Sequence, residues 1–161
     1  MRSIYTFSLF TLILLVLAGC DSTEEPETVQ LPLPQVVAED DYVVTDSGLK
    51  YFDLVPGDTT FPISEVGQEL VVHYNAWLEN GMMIESTRFF GGGTPITFVL
   101  GSGQVIAGWE EGLQGIYPGG VRQLVIPPDL AYGEEGVSGV PPNSTLIYEV
   151  DYLGFLQTST N

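Results

Sequence analysis

The chain has 161 residues, with 21 acidic and four basic side chains and a formal net charge of −17 at pH 7. The length indicates one domain, and so few bases argue against a partner made of nucleic acid. Cys20 is the only cysteine, so no intramolecular disulfide can form and the fold must be stabilised by its core.

Residues 1–19 have the features of an export signal. Arg2 supplies one positive charge, and the apolar run from Ile4 to Leu17 is shorter than the ~20 residues that span a membrane. The sequence LAGC, ending at Cys20, resembles the lipobox of bacterial lipoproteins, which are cleaved before a cysteine that receives lipid. We therefore expect a lipoprotein signal peptide over 1–19. An ordinary signal or an uncleaved anchor with an incidental cysteine is the alternative.

That resemblance implies an extracytoplasmic protein of the cell envelope, held at the outer membrane by lipid on Cys20. Acyl chains contribute about 0.8 kcal/mol per buried methylene, so several of them would make the attachment permanent. The lipid would be the only contact with the membrane, because a domain this acidic is repelled by anionic lipid.

Residues 20–45 are acidic, contain several prolines and lack the period of a helix or strand. They predict a solvated tether with a mean reach of roughly 25–30 Å. Acidic residues directly after a lipidated cysteine also resemble the signal that exports some Bacteroidetes lipoproteins to the cell surface. A solubilising linker is the alternative interpretation.

Residues 46–157 are rich in strand patterns separated by turn signals, and 158–161 are a tail. Strands are predicted over Gly48–Val55, Gln68–Leu78, Met82–Glu85, Ile96–Leu100, Val121–Ile126 and Thr145–Leu156. Asn80-Gly81 is the favoured pair for a hairpin turn. Gly91–Gly93 predicts a loop or bulge. Asp129–Asn143 predicts a long loop, of a length that is usually functional.

One helix is predicted, from Gln104 to about Gly115. Its apolar residues recur at spacings of three and four and line one face: Val105, Ile106, Trp109, Leu113 and Ile116. Three glycines each cost about 1 kcal/mol against alanine, so this helix persists only if that face is packed. We expect an α+β domain, with an antiparallel sheet of five or six strands curled around one short helix.

The residues offer little conventional catalytic chemistry. His73 is the only histidine and lies mid-strand, which argues against a zinc site and a catalytic triad. Gly91–Gly93 lacks the lysine of a P-loop. No metal and no cofactor are expected. What remains is an aromatic set, for which pattern alone favours plain core over a binding site: Tyr74, Phe98, Trp109, Tyr132 and Tyr148.

Longer motifs resemble a known family. They are SGLKY at Ser47–Tyr51, VVHY at Val71–Tyr74, GQVIAGWEEGL at Gly103–Leu113, PDLAYGEEG at Pro128–Gly136 and PPNSTLIYEV at Pro141–Val150. Together, in order and spacing, they resemble the FKBP family of peptidyl-prolyl cis-trans isomerases over residues 46–157. The resemblance implies the same fold, with an apolar pocket between sheet and helix that binds a proline ring.

The resemblance also implies roles for individual residues. Trp109 would be the floor of the pocket, and the walls would be Tyr74, Phe98, Val105, Ile106 and Tyr148. The Tyr132 hydroxyl and the Ile106 backbone N–H would donate to carbonyls flanking the proline, and Val140 would form an apolar lip. A twisted amide has less charge separation than a planar one, so a dry pocket favours it without covalent catalysis.

Two positions depart from the family pattern. Ile84 stands where an aromatic residue is usual, and Glu85 stands where an aspartate is usual. The family's carboxylate pairs with a nearby cation, for which Arg88 is the local candidate. Gly91–Gly93 lengthens the loop by about two residues, and Glu134-Glu135 over the pocket would disfavour acidic substrates.

The favoured hypothesis is a lipid-anchored isomerase that acts on proline-containing polypeptides, chiefly unfolded exported proteins. The macrolide ligands of the family, such as rapamycin, are further candidate partners. The alternative is a weak or inactive FKBP-like binding module or chaperone that kept the pocket. A third hypothesis is a structural surface lipoprotein that binds no ligand there.

Overall fold

A computed structural model describes residues 30–155 of the chain. In order, the described elements are a 3₁₀ turn at Glu39–Asp41, β1 Val43–Val44, β2 Lys50–Val55, β3 Glu69–Leu78, β4 Met83–Ser86, β5 Ile96–Val99, α1 Ala107–Gly112, β6 Val121–Ile126, a 3₁₀ turn at Pro128–Leu130 and β7 Leu146–Phe155. Within this part of the chain, no helix is long and apolar enough to cross a membrane. The predicted signal peptide, the lipidated Cys20 and the tail at 158–161 lie outside the described residues.

The sheet is antiparallel, in the order β1-β2-β6-β7-β3-β4. β5 also pairs with β3, where it occupies the first half of that strand, and β4 occupies the second half. The predicted α+β class is confirmed. The described strands number seven rather than five or six, because β1 comes from the segment predicted to be a tether.

The helix is shorter than predicted. α1 covers only Ala107–Gly112, and Ile106 before it has extended backbone angles (φ −60°, ψ 151°). Gly115, after the helix, has φ +74°, which ends any continuation. The predicted bounds of Gln104 and Gly115 are therefore wrong. Residues on both sides of α1 keep their apolar side chains on the core side without being helical.

The glycines of α1 let it lie very close to the sheet. A Cβ at Gly108 would come within 2.4 Å of Ile126 Cγ2, and one at Gly112 within 2.7 Å of Leu124 Cδ2. The glycines that make this a poor helix in isolation therefore allow it to pack this closely on the sheet. Trp109, between these glycines, is thereby held against the concave side of the sheet.

The C-terminal end of α1 is capped by two side chains from elsewhere. The Ser64 hydroxyl donates to the carbonyl of Leu113, and Arg122 Nη1 donates to the carbonyls of Gly112 and Gln114, both at 2.9 Å. Arg122 also binds the Asp53 carboxylate through Nε at 2.6 Å and Nη2 at 3.0 Å. These bonds satisfy carbonyls that a helix end leaves without partners.

Residues 31–45, here called the strap, lie against the outer face of the sheet. The Trp77 indole donates to the Pro32 carbonyl at 2.8 Å, and the Gln123 amide donates to the Gln35 carbonyl at 2.8 Å. Farther along, Val43 and Val44 pair with β2. The predicted tether is therefore wrong for its described part, and the folded part begins before residue 46. The physical reason is Trp77, whose indole on the outer face needs apolar cover and an acceptor.

Tyr152 places a hydroxyl in the core with no hydrogen-bond partner among the described residues. Burial raises its pKa to about 12. The folded state therefore holds this proton more tightly than the unfolded chain, whose tyrosines titrate near pH 10. The resulting stabilisation is complete below about pH 10 and is lost as the pH rises towards 12.

We therefore expect Tyr152→Phe to reduce the loss of stability at alkaline pH. At pH 7 the same change should leave stability unchanged or raise it by up to about 1 kcal/mol, since it removes an unsatisfied buried group. The measurement is the melting temperature of both proteins between pH 7 and pH 12. An equally steep alkaline decline in the variant would contradict the prediction. Some decline should persist, because burial also raises the pKa values of Tyr74 and Tyr148.

Candidate active site

A cavity of about 380 Å³ lies between α1 and the concave side of the sheet. Its walls are formed by Tyr74, Glu85, Ile96, Gln104, Val105, Ile106, Trp109, Tyr132 and Tyr148. Most of the residues assigned to a pocket from the sequence are thus brought together around one space. They come from β3, β4, β5, α1, β7 and the loops beside α1 and after β6.

Trp109 is almost fully buried, and three aromatic rings surround it. Tyr74 and Tyr148 meet it edge-on, with centroids 5.0 and 5.3 Å away and both planes at 86°. Phe98 lies 5.7 Å away at 55°. The two edge-on contacts are the geometry that aromatic quadrupoles favour, so the rings hold one another in place. The indole Nε1 has no hydrogen-bond partner among the described residues, which leaves a buried donor in this cluster.

Two phenol groups of the cavity, those of Tyr74 and Tyr148, remain protonated at neutral pH. Burial is the main cause that raises the pKa of Tyr74, and the Glu85 carboxylate beside it adds to the effect. Burial likewise raises the pKa of Tyr148, with further contributions from Tyr132 and Glu85. The cavity therefore presents neutral hydroxyl donors on an apolar surface.

The loop that carries Tyr132 is ordered by its own backbone. The N–H of Gly133 donates to the carbonyl of Pro128 at 2.9 Å, and the N–H of Asn143 donates to Gly133 at 2.9 Å. Val137 and Val140 exchange two bonds, at 3.0 and 2.8 Å. The loop predicted over residues 129–143 is therefore a compact structure that fixes Tyr132 at the cavity wall.

Three predicted pocket residues do not line the cavity. Phe98 lies against Trp109 in the core, and Ile84 is half-buried and packs on the same core. Val140 is buried but borders a separate surface depression with Val137 and Pro141. The loop curls back on itself at the Val137–Val140 pair, and Val140 belongs to the buried core cluster.

Two lining residues were missed from the sequence. Ile96 stands two positions before Phe98 on β5, so strand alternation places both on the inner side. This alternation could have identified Ile96 as a lining residue from the sequence. Gln104 precedes the two aliphatic wall residues Val105 and Ile106, and its carboxamide oxygen accepts from Val99 N at 2.8 Å. No residue pattern pointed to it.

Arg88 does not pair with Glu85 as the sequence suggested. Its guanidinium binds the Asp151 carboxylate on β7. The chain turns sharply after β4, where the Ser86 hydroxyl accepts from the N–H groups of Arg88 and Phe89, both at 3.1 Å. This turn carries the Arg88 side chain to the outer face of the sheet, whereas Glu85 lies at the cavity.

His73 has a structural environment. Its ring Nδ1 lies 3.0 Å from the hydroxyl oxygen of Thr87, which also accepts from the N–H of Tyr74 at 3.0 Å. Thr87 thus joins β3 to the turn after β4. This agrees with the assignment of His73 to the sheet rather than to catalysis.

The fold and the cavity define a small domain that can seat an apolar ring on an aromatic floor among neutral donors. The family described as FKBP-type peptidyl-prolyl cis-trans isomerase matches residues 62–153, and the chain belongs to this family. The predicted family and enzyme class are thereby confirmed.

Individual relatives agree with this assignment. The chain is 49% identical over 88 residues to an FK506-binding protein of Neisseria meningitidis serogroup B, covering 54% of this chain and 79% of that protein. It is 39% identical over 126 residues to the chloroplastic peptidyl-prolyl cis-trans isomerase FKBP13 of Arabidopsis thaliana, covering 71% of this chain and 59% of the relative.

Two solved structures are similar in fold. The crystal structure of AtFKBP13 superposes with a TM-score of 0.65 at 36% identity, over 71% of this chain and 98% of that one. The crystal structure of FkpA from Escherichia coli gives a TM-score of 0.65 at 38% identity, over 73% of this chain and 52% of FkpA. The curled sheet around one short helix is therefore the fold of this family.

Proposed function

We propose that this chain catalyses cis-trans isomerisation of X-Pro bonds in the cavity above Trp109. The observation that carries the proposal is the aromatic floor, in which Tyr74 and Tyr148 meet Trp109 edge-on in a member of the isomerase family. The proline ring lies on this floor. Proline-containing polypeptides are the substrates, and macrolides such as rapamycin compete for the same surface.

The chemistry needs no covalent step. Rotation about an X-Pro bond is opposed by amide resonance, which gives peptide bonds a barrier of about 18–20 kcal/mol. The twisted transition state has lost much of that resonance and its charge separation, so an apolar cavity stabilises it relative to the planar amide. Only interactions that are stronger in the transition state raise the rate.

Two donors orient the substrate. Ile106, just before α1, has a backbone N–H with no acceptor among the described residues, beside a cavity that its side chain also lines. Tyr132 presents its hydroxyl from the ordered loop. Both donate to carbonyl groups next to the proline, and these bonds hold the chain while the amide rotates.

The activity is tested with a soluble chain that begins at residue 30, by following cis-to-trans relaxation of short X-Pro peptides with and without rapamycin. Tyr132→Phe should lower kcat/KM about 3- to 10-fold, the factor expected for one lost hydrogen bond. Tyr117→Phe removes a hydroxyl outside the cavity and should leave the rate unchanged. A folded protein that accelerates no X-Pro peptide would overturn the proposal.

The second candidate is a binding module that holds proline-containing chains without isomerising them. The observation that favours it is Glu85, which stands in place of the usual aspartate and lacks the expected Arg88 partner. On this hypothesis Ile84→Phe combined with Glu85→Asp should restore catalysis. Activity that stays at zero in the double variant would exclude these two positions as the cause.

The location remains a proposal as well. We infer that the chain acts on exported polypeptides outside the cytoplasm, anchored by lipid on Cys20, because LAGC resembles a lipobox and follows an apolar run. Radiolabelled palmitate should then be incorporated into the full chain expressed in bacteria, and Cys20→Ser should abolish the labelling. A wild-type chain that takes up no label would contradict the lipid anchor.

A further inference from the structure

The cavity wall carries one charge. Among the described residues that line it, Glu85 is the only acidic residue and none is basic, and Glu85 is exposed to solvent. Its carboxylate also lies close to the phenols of Tyr74 and Tyr148, where it adds to the effect of burial on their pKa values. A substrate seated on Trp109 therefore lies beside a single negative charge.

No basic side chain in the described part of the chain neutralises Glu85. Each of the three is engaged with another acid: Lys50 with Glu39, Arg88 with Asp151 and Arg122 with Asp53. The loop after β6 carries two more exposed acids, Glu134 and Glu135, neither of which lines the cavity. The cavity wall thus offers an ion-pair partner that the basic side chains of the described residues do not supply.

We infer that Glu85 selects substrates that carry lysine or arginine next to the proline. The inference rests on the proposed function and names the class of peptide that the site prefers. A cation flanking the proline pairs with the Glu85 carboxylate while the ring occupies the aromatic floor. An acidic residue in the same place is repelled.

The expected preference is moderate. Exposed ion pairs contribute little because water and salt screen them, so we expect a ratio of about 2- to 5-fold in kcat/KM. The net charge of −17 also attracts any cationic peptide, whatever the state of Glu85. The test must therefore distinguish the effect of the Glu85 carboxylate on kcat/KM from the effect of the protein's net charge.

The experiment compares two peptides, Lys-Pro and Nε-acetyl-Lys-Pro in otherwise identical sequences, with a second pair in which the lysine follows the proline. Wild-type protein should favour unmodified lysine about 2- to 5-fold in at least one pair, and less at 0.5 M salt. Glu85→Gln should lower that ratio to the residual preference that the net charge of the protein causes, and Glu85→Lys should lower it further. Glu79→Gln removes the same charge from an exposed turn and should keep the wild-type ratio.

The outcomes are distinguishable. Isomerisation of both peptides at equal rates would overturn the role of Glu85 and leave the proposed function standing. A preference for lysine that is as large in Glu85→Gln as in the wild type would assign it to the net charge of the protein and would also overturn the inference. No isomerisation of any peptide by the folded protein would overturn the proposed function itself.

Discussion

Replacing Arg122 by methionine should lower the free energy of unfolding by about 2–4 kcal/mol. The guanidinium is 5% exposed, and its removal leaves the carbonyls of Gly112 and Gln114 without their donor. It also removes the partner of Asp53 and the cation that lies 4.6 Å above the Tyr51 ring. Methionine fills a similar length but offers none of these bonds.

Equilibrium unfolding in urea measures this loss. The matched control is Arg88→Met, which breaks an ion pair whose side chains are 48% and 27% exposed. Exposed pairs of this kind contribute at most about 1 kcal/mol. If Arg122→Met is no more harmful than Arg88→Met, the capping role is wrong. Arg122→Lys should be intermediate, since an ammonium keeps the charge but cannot reproduce the fork of donors.

Gly108→Ala should destabilise the protein by about 1–3 kcal/mol, although alanine is the better helix former by about 1 kcal/mol. The new methyl group would lie 2.4 Å from Ile126 Cγ2 and 2.9 Å from Cδ1, so α1 must move away from β6. Trp109 is the next residue and forms the cavity floor. The same substitution should therefore lower isomerase activity, which a purely local effect on helix stability would not do.

Thermal unfolding of single and double variants checks this account. Adding Ile126→Ala to Gly108→Ala removes the obstructing side chain, so the two effects should be strongly non-additive. Ala107→Gly, at the exposed neighbouring position, measures the propensity effect alone and should cost at most about 1 kcal/mol. A Gly108→Ala protein that is more stable than wild type would contradict the close contact between helix and sheet.

The strands could be predicted from the sequence because their determinants are local. β3 alternates between Tyr74, Ala76 and Leu78 on the inner face and residues such as Trp77 on the other, and the expected turn follows at Glu79–Gly81. The cavity could be predicted only through the resemblance of the motifs around Trp109 and Tyr132 to the FKBP family, and both residues line it. Pattern alone favours plain core for these aromatic residues, because side-chain alternation and helical spacing do not distinguish a cavity wall from a packed core.

The predictions that were wrong concern features that depend on residues far apart in sequence or on backbone angles. Val105 and Ile106 have helical spacing yet precede the helix, and Ile106 has extended backbone angles, because apolar spacing does not specify φ and ψ. Arg88 is close to Glu85 in sequence, but the turn after Ser86 directs it to Asp151. The composition of residues 31–45 predicts a solvated segment. In the structure, however, the carbonyls of Pro32 and Gln35 accept hydrogen bonds from the Trp77 and Gln123 side chains.

The strap has a consequence for the order in which the chain folds. Its contacts join residues 45, 88 and 114 positions apart: Pro32 with Trp77, Gln35 with Gln123 and Gln35 with Glu149. Although the strap precedes every other described element, its docking surface is complete only when β7 has joined the sheet. Because synthesis proceeds from the N-terminus, the strap cannot dock completely until β7 has been made and has joined the sheet. Contacts between residues so far apart in sequence slow folding. The strap is thus the first described segment to be synthesised and the last to complete its contacts with the sheet.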